Sequence, residues 1–161
     1  MSTTPQEVVV EAVPDLPVIR ITRDFAATPA QLVRAHTDPE VFRRWVGPSA
    51  MECTIDRWEG RTGGEYRYGC GTGGEVEWFY GSFHYVGEDR MVQTFTWEGI
   101  PDGVSLDTMR LEDLGEGRTR AVITSLVDSI EARDAILSSG METGMNDGYA
   151  KLDALLASGE V

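Results

Sequence analysis

Histidine and cysteine, the residue types most specific to acid–base, nucleophilic and metal chemistry, are few in this chain. His84 lies in the strand-like stretch "WFYGSFHYV", where Tyr80, Ser82 and His84 share one face if the strand is regular. In an apolar cavity such a histidine would act as general base or hydrogen-bond a ligand carbonyl or hydroxyl. The plainer reading, and the preferred one, is a histidine on the outer face of the strand. His36 falls between two helix starts and reads as a solvated helix end. Ser82, His84 and several aspartates are formally a hydrolytic set, yet no G-x-S-x-G elbow accompanies them. With only 2 His and 2 Cys, and neither H-E-x-x-H nor C-x-x-C, no metal or cofactor is expected. Gly69, Gly71 and Gly74 have formal G-x-G-x-x-G spacing, but strand text rather than a helix follows, so "GCGTGG" reads as a hairpin tip bordering a pocket. Cys53 and Cys70 fall opposite one another if the intervening turn centres between Arg61 and Thr62. Both are expected as free thiols.

The elements that must position these residues follow from periodicity. Residues 1–16 mix proline and acids with short apolar patches and read as a flexible lead-in; order is expected from "VIRITRDF", whose near alternation marks a half-buried strand. Two short helices come next. Thr28 with Gln31, and Thr37 with Glu40, each match a capping box with proline in the first turn. From Met51 to Val127 the text is aromatic and β-branched strands separated by "GRTGG", "GCGTGG", "GEDR", "GIPDG" and "GEG", turns too short for anything but an antiparallel meander. The final stretch, "SIEARDAILSSGMETGMNDGYAKLDALLA", is the one long helical segment, with Met141, Met145, Gly148, Leu152 and Leu155 in an amphipathic stripe. The expected architecture is α+β: a curved antiparallel sheet of about six to seven strands around a long C-terminal helix, with two small helices at one end, in a single domain over 17–158.

Gly140, Gly144 and Gly148 recur every fourth residue in that last helix, where each glycine costs about 1 kcal/mol relative to alanine. One reading is close packing of helix on sheet, or a kink near Ser138–Gly140 that splits the helix. The other is that the bare strip, with adaptable Met141 and Met145 beside it, leaves space between helix and sheet unfilled. The stretch around Gly81 carries rings on both faces: Phe79, Phe83 and Tyr85 on one, Trp78 and Tyr80 on the other. A ring-lined pocket closed by the helix is the default ligand site of such an arrangement.

Composition narrows the partners. The chain has 161 residues, 41% hydrophobic and 25% charged, as in an ordinary soluble domain. Its net charge of -13, spread along the chain, repels phosphate backbones and anionic membrane faces, so neither nucleic acid nor membrane is an expected partner. No 18-residue apolar run is present and "MSTTPQEVVVEAVPDLP" lacks the features of a signal peptide, so a cytoplasmic location is expected. Arg110 and Glu52 read as ordinary solvent-facing strand charges.

In combination, "TPAQLVRAHTDPEVFRRWVGP", "IDRWEGRTGGEYRY", "GSFHYVGEDRMVQTFTWEGIPDG", "GRTRAVITS" and the closing glycine-bearing helix resemble the START-like (SRPBCC) helix-grip superfamily. The likeness is to the branch related to the C-terminal domain of the Hsp90 ATPase activator. The resemblance implies a curved sheet gripping a long helix around a deep, mainly apolar cavity, in which branches of the superfamily bind lipids, polyketides or hormones or catalyse cyclisation and hydration. The Gly-Trp often found in the last helix of the branch stands here as Gly144–Met145, and the activator's long N-terminal domain is not represented. The resulting expectation is a binder of a hydrophobic small molecule, its cavity lined by Trp45, Tyr68, Trp78, Phe83, Trp97, Met109, Met141, Met145 and Tyr149 with His84 as polar contact. The alternatives are a cyclase- or hydratase-like enzyme with His84 as catalytic base, and a regulator of a chaperone ATPase. A homodimer is also compatible with the sequence.

Overall fold

Strict alternation builds the strands. In β2, Val18–Phe25, the buried side chains are Ile19, Ile21, Arg23 and Phe25, every second residue, as a sheet with one covered face requires. The computed structural model describes residues 6–48 and 50–161. Over these, the chain forms one antiparallel sheet of 8 strands in the order β1-β2-β8-β7-β6-β5-β4-β3. Its members are β1 (Val9–Ala12), β2, β3 (Glu52–Trp58), β4 (Glu65–Thr72), β5 (Glu75–Val86), β6 (Arg90–Trp97), β7 (Ser105–Gly115) and β8 (Arg118–Leu126). From β3 to β8 each strand pairs with the next through a short turn, the expected meander. The turn between β4 and β5 is Gly73–Gly74, both at positive φ, the pair of left-handed residues that a tight hairpin needs. "GCGTGG" is therefore a hairpin tip.

The strand count exceeds the expectation because β1 lies inside the stretch read as a lead-in. Val10 and Ala12 sit opposite Ile21 and Ile19, Val8 is buried, and its N–H donates to the Asn146 side chain at 2.9 Å. The Arg133 guanidinium donates to the carbonyls of Val13 and Leu16, pinning the turn into β2. Three consecutive valines outweigh the neighbouring acids once a sheet edge is there to receive them. Residues 1–5 lie outside the described residues.

The helices α1 (Pro29–Thr37) and α2 (Pro39–Trp45) close one end of the sheet. Thr28 and Gln31 complete the expected capping box of α1. The cap of α2 differs: Asp38 accepts from the Glu40 N–H, while Thr37 turns back to donate to the Val33 carbonyl. A carboxylate is as good a cap as a hydroxyl, and Asp38 is the residue with extended φ/ψ.

The long C-terminal segment is two helices, α3 (Ile130–Leu137) and α4 (Met141–Ala157), separated at Gly140, whose φ of 85° only glycine adopts without strain. Since β8 runs into α3 within a few residues, α4 begins over one end of the concave face and ends over α1 and α2. There the Gln31 side chain donates to the Val161 carbonyl and Arg44 pairs with Glu160.

Cys53 and Cys70 are direct partners across β3 and β4, as the turn arithmetic requires, but they are joined by a disulfide rather than held as two free thiols. Facing positions on adjacent antiparallel strands bring the sulfurs within bonding reach.

Candidate functional site

The concave face of the sheet carries a continuous run of rings. Trp58 meets Phe83 and Tyr66, Tyr66 lies beside Tyr68, Tyr68 stacks on Phe79 at 5.2 Å, and Phe79 on Phe95 at 5.3 Å. Such offset contacts let several large rings share one surface. At the α1–α2 end this surface is sealed. Tyr149 of α4 stacks on Trp45 at 5.6 Å and meets Phe25 edge-on, Trp45 Nε1 donates to the Ala35 carbonyl at 2.9 Å, and Leu32, Leu152 and Phe83 are almost wholly buried. Arg23, also on this face, is gripped by both Asp153 oxygens at 2.9 and 2.6 Å beneath the Tyr149 ring.

Towards the other end the same face stays partly open. Phe79, Phe95, Ile123 and Ser125 are half-buried although their strand positions point them inward, as are Met141 and Met145 on the first turns of α4. In the midst of these stands Asp107. It lies opposite Gln93 of β6 and Ser125 of β8, and Ser125 donates its hydroxyl to Asp107 Oδ1 at 2.6 Å. Burial pushes the Asp107 carboxyl above its usual range, opposed by the hydroxyls of Ser125 and Ser105. Its negative charge and, more strongly, burial push up the phenols of Tyr66, Tyr68 and Tyr149, the last to about 12. Gln93 in turn donates to the Tyr66 hydroxyl, which itself donates to the Thr94 carbonyl. The result is a carboxyl, an amide, phenols and hydroxyls enclosed by rings and methionines. These groups can hold a polar handle on an otherwise apolar molecule.

Of the side chains expected to line a cavity, Trp45, Tyr68, Phe83, Met109 and Tyr149 are on the concave side and buried; Met141 and Met145 are half-buried there. Trp97 is at the rim, 40% exposed, donating its indole N–H to Glu77 at 2.7 Å. Two expected contacts are not in the site. Trp78 pairs with Gly69 on the outer face, where the Arg67 guanidinium lies 4.0 Å over its ring. His84 is exposed on that side, beside a register shift between Phe83 and Tyr85. One residue of register decides this: once Phe79 and Phe83 face inward, Trp78, Tyr80, Ser82 and His84 face out. The same shift leaves Tyr85 exposed rather than beside Phe83. His36 is no solvated helix end either. Its Nδ1 lies 2.7 Å from the Leu32 carbonyl and its ring packs edge-on against Trp45, so burial holds it below the usual histidine range.

The three helix glycines have three different surroundings. Gly140 supplies the break, and a Cβ on Gly144 would meet open space. A Cβ on Gly148 would lie 3.0 Å from the Trp45 carbonyl oxygen, so α4 and the end of α2 meet backbone to backbone there.

Asp107, Ser125, Gln93, Tyr66, Phe79 and Phe95 were not singled out by sequence reasoning as lining residues. Their signal was present for Asp107: Ser105, Asp107, Met109 and Leu111 alternate, so the acid shares the buried face. Among the described residues no three His, Cys, Asp or Glu side chains stand close enough to share a metal ion. No helix among them is long and apolar enough to cross a membrane. Two surface clefts lie elsewhere. One of about 760 Å³ is between α1 and the β5–β6 turn, and one of about 310 Å³ lies beside Phe25 and Asp153.

This architecture is shared with known proteins. A protein from Rhodobacter sphaeroides is 28% identical, with a TM-score of 0.83 over 94% of this chain and 99% of that one. A protein from Arthrobacter aurescens is 27% identical, with a TM-score of 0.82 over 93% and 91% of the two chains. DynU16, from the dynemicin biosynthetic locus, shares the fold at 20% identity and a TM-score of 0.63, over 91% of this chain and 49% of that one. No curated protein matches. Residues 26–157, from the end of β2 to the end of α4, match the model of one family, and the chain belongs to it: the Activator of Hsp90 ATPase homolog 1-like proteins, of the helix-grip superfamily.

Proposed function

We propose that this protein binds a small, mainly apolar molecule against the open half of the concave sheet face, under the first turns of α4, with Asp107 and its neighbours as the polar handle. The observation that carries this reading is the half-buried state of Phe79, Phe95, Ile123, Met141 and Met145 together with the half-buried carboxyl of Asp107 among them. Apolar side chains that point into a fold and still keep exposed surface are a binding surface in waiting. Membership of a helix-grip family supports the same reading. A cyclase- or hydratase-like activity on this face would draw its acid–base group from Asp107, because His84 is on the opposite side of the sheet. A cytoplasmic location is part of the proposal.

Native mass spectrometry of the purified protein, with solvent extraction of anything it carries, tests the proposal. A stoichiometric apolar passenger is expected, and its loss in Ile123→Trp, which fills the open half, would locate it. An apo mass with no thermal shift across a panel of lipids and aromatic polyketides would overturn it.

A further inference from the structure

Resting on the binding reading above, we infer that the site selects for charge: Asp107 makes it a receptor for apolar molecules that carry a protonated amine, and it rejects carboxylic acids such as fatty acids. The groups facing Asp107 settle the sign. Gln93 and Ser125 flank it on the neighbouring strands, and Ser105 is two residues back on its own. The phenols of Tyr66 and Tyr68 on β4 and Tyr149 on α4 are close enough to feel its charge, and none of these partners is a cation. The guanidinium on the same sheet face, Arg23, is already engaged through two hydrogen bonds by Asp153. Asp107 is thus a half-buried carboxyl that has no counter-ion among the described residues.

A ligand ammonium placed beside it would supply that counter-ion, forming a charge-assisted hydrogen bond in a shielded setting where such bonds are strongest. A ligand carboxylate would set two acids side by side, and one would have to stay protonated. A neutral alcohol falls between, donating to the carboxyl without neutralising it. The rings and methionines around the acid accept any of the three tails equally, so the head group decides.

The test is calorimetric titration of the whole protein with decylamine, decanol and decanoate, each below its micellar concentration, at neutral pH. Decylamine is expected to bind about tenfold or more tighter than decanoate, with decanol between. In Asp107→Asn the amine and the acid should come within about twofold of each other while the protein stays folded, its unfolding midpoint at neutral pH no lower than that of the parent. Ser125→Ala, which keeps the carboxyl, should keep the preference for the amine. Decanoate binding as tightly as decylamine overturns the inference and leaves the binding reading standing. So does an amine preference that survives Asp107→Asn, since the net charge of -13 would then be attracting amines to the surface at large. If none of the three probes binds, the binding reading falls and the inference with it.

Discussion

Leu152, Tyr149 and Trp45 at one end of the concave face, and Phe79, Phe95 and Ile123 at the other, lie over or within the same sheet. The first three are buried and the second three remain half-exposed. The difference is in what covers them. At the sealed end α1, α2 and the later turns of α4 converge, and Gly148 lets α4 settle onto the backbone of Trp45 and Gly47. At the open end only the first turns of α4 are available, and Gly144 there faces empty space. Asp107 sharpens the contrast: at the sealed end the buried Arg23 is paired with Asp153, whereas this half-buried carboxyl at the open end is held by the Ser125 hydroxyl.

The largest test of that contrast is truncation at each end. Leu152→Ala should cost about 2–5 kcal/mol, transfer plus cavity. Phe95→Ala, losing a ring that already keeps exposed surface, should cost nearer about 1 kcal/mol. Equal losses in chemical denaturation would mean that the open end is packed as tightly as the sealed one.

Adding volume should have opposite signs at the two ends. Gly148→Val drives a branched side chain into the Trp45 carbonyl and should destabilise by about 1–3 kcal/mol. Gly144→Ala meets nothing and should stabilise α4 by about 1 kcal/mol. Thermal unfolding of both variants reads the signs directly; a loss in Gly144→Ala would show that something does lie against that turn.

The smallest effects are on pH dependence. Burial raises the Asp107 carboxyl, so the folded protein holds that proton more tightly than the unfolded chain. The stability from this group is present below the ordinary aspartate range and is lost as pH rises through its folded value; Asp107→Asn should remove that loss and raise the urea midpoint at neutral pH. His36 at the sealed end is the reverse. Its folded value is lowered, so its stability is present above the ordinary histidine range and is lost as pH falls through the folded value. His36→Gln should flatten the urea midpoint between pH 8 and pH 5, leaving the dependence due to Asp107 intact.

Much of this was legible in the chain. Short glycine-bearing turns dictated the meander, Thr28 and Gln31 dictated the start of α1, and two cysteines equidistant from a turn dictated facing partners. What failed was local information facing competing structure. The valines of β1 lacked any local sign that an edge strand would receive them. In β5, aromatic on both faces, sequence alone could not say whether Trp78 and His84 or Phe79 and Phe83 would point inward, because period-2 alternation fixes the sets but not the side.

The sequence by itself determined the order and type of the elements, through periodicity and turn chemistry that act over a few residues. Only the tertiary structure decided which set of rings faces the helix, which glycine is a break, a contact or a gap, and that the acid on the open face is Asp107. Those outcomes depend on strands and helices far apart in the chain meeting at one surface, where register and cover are settled together.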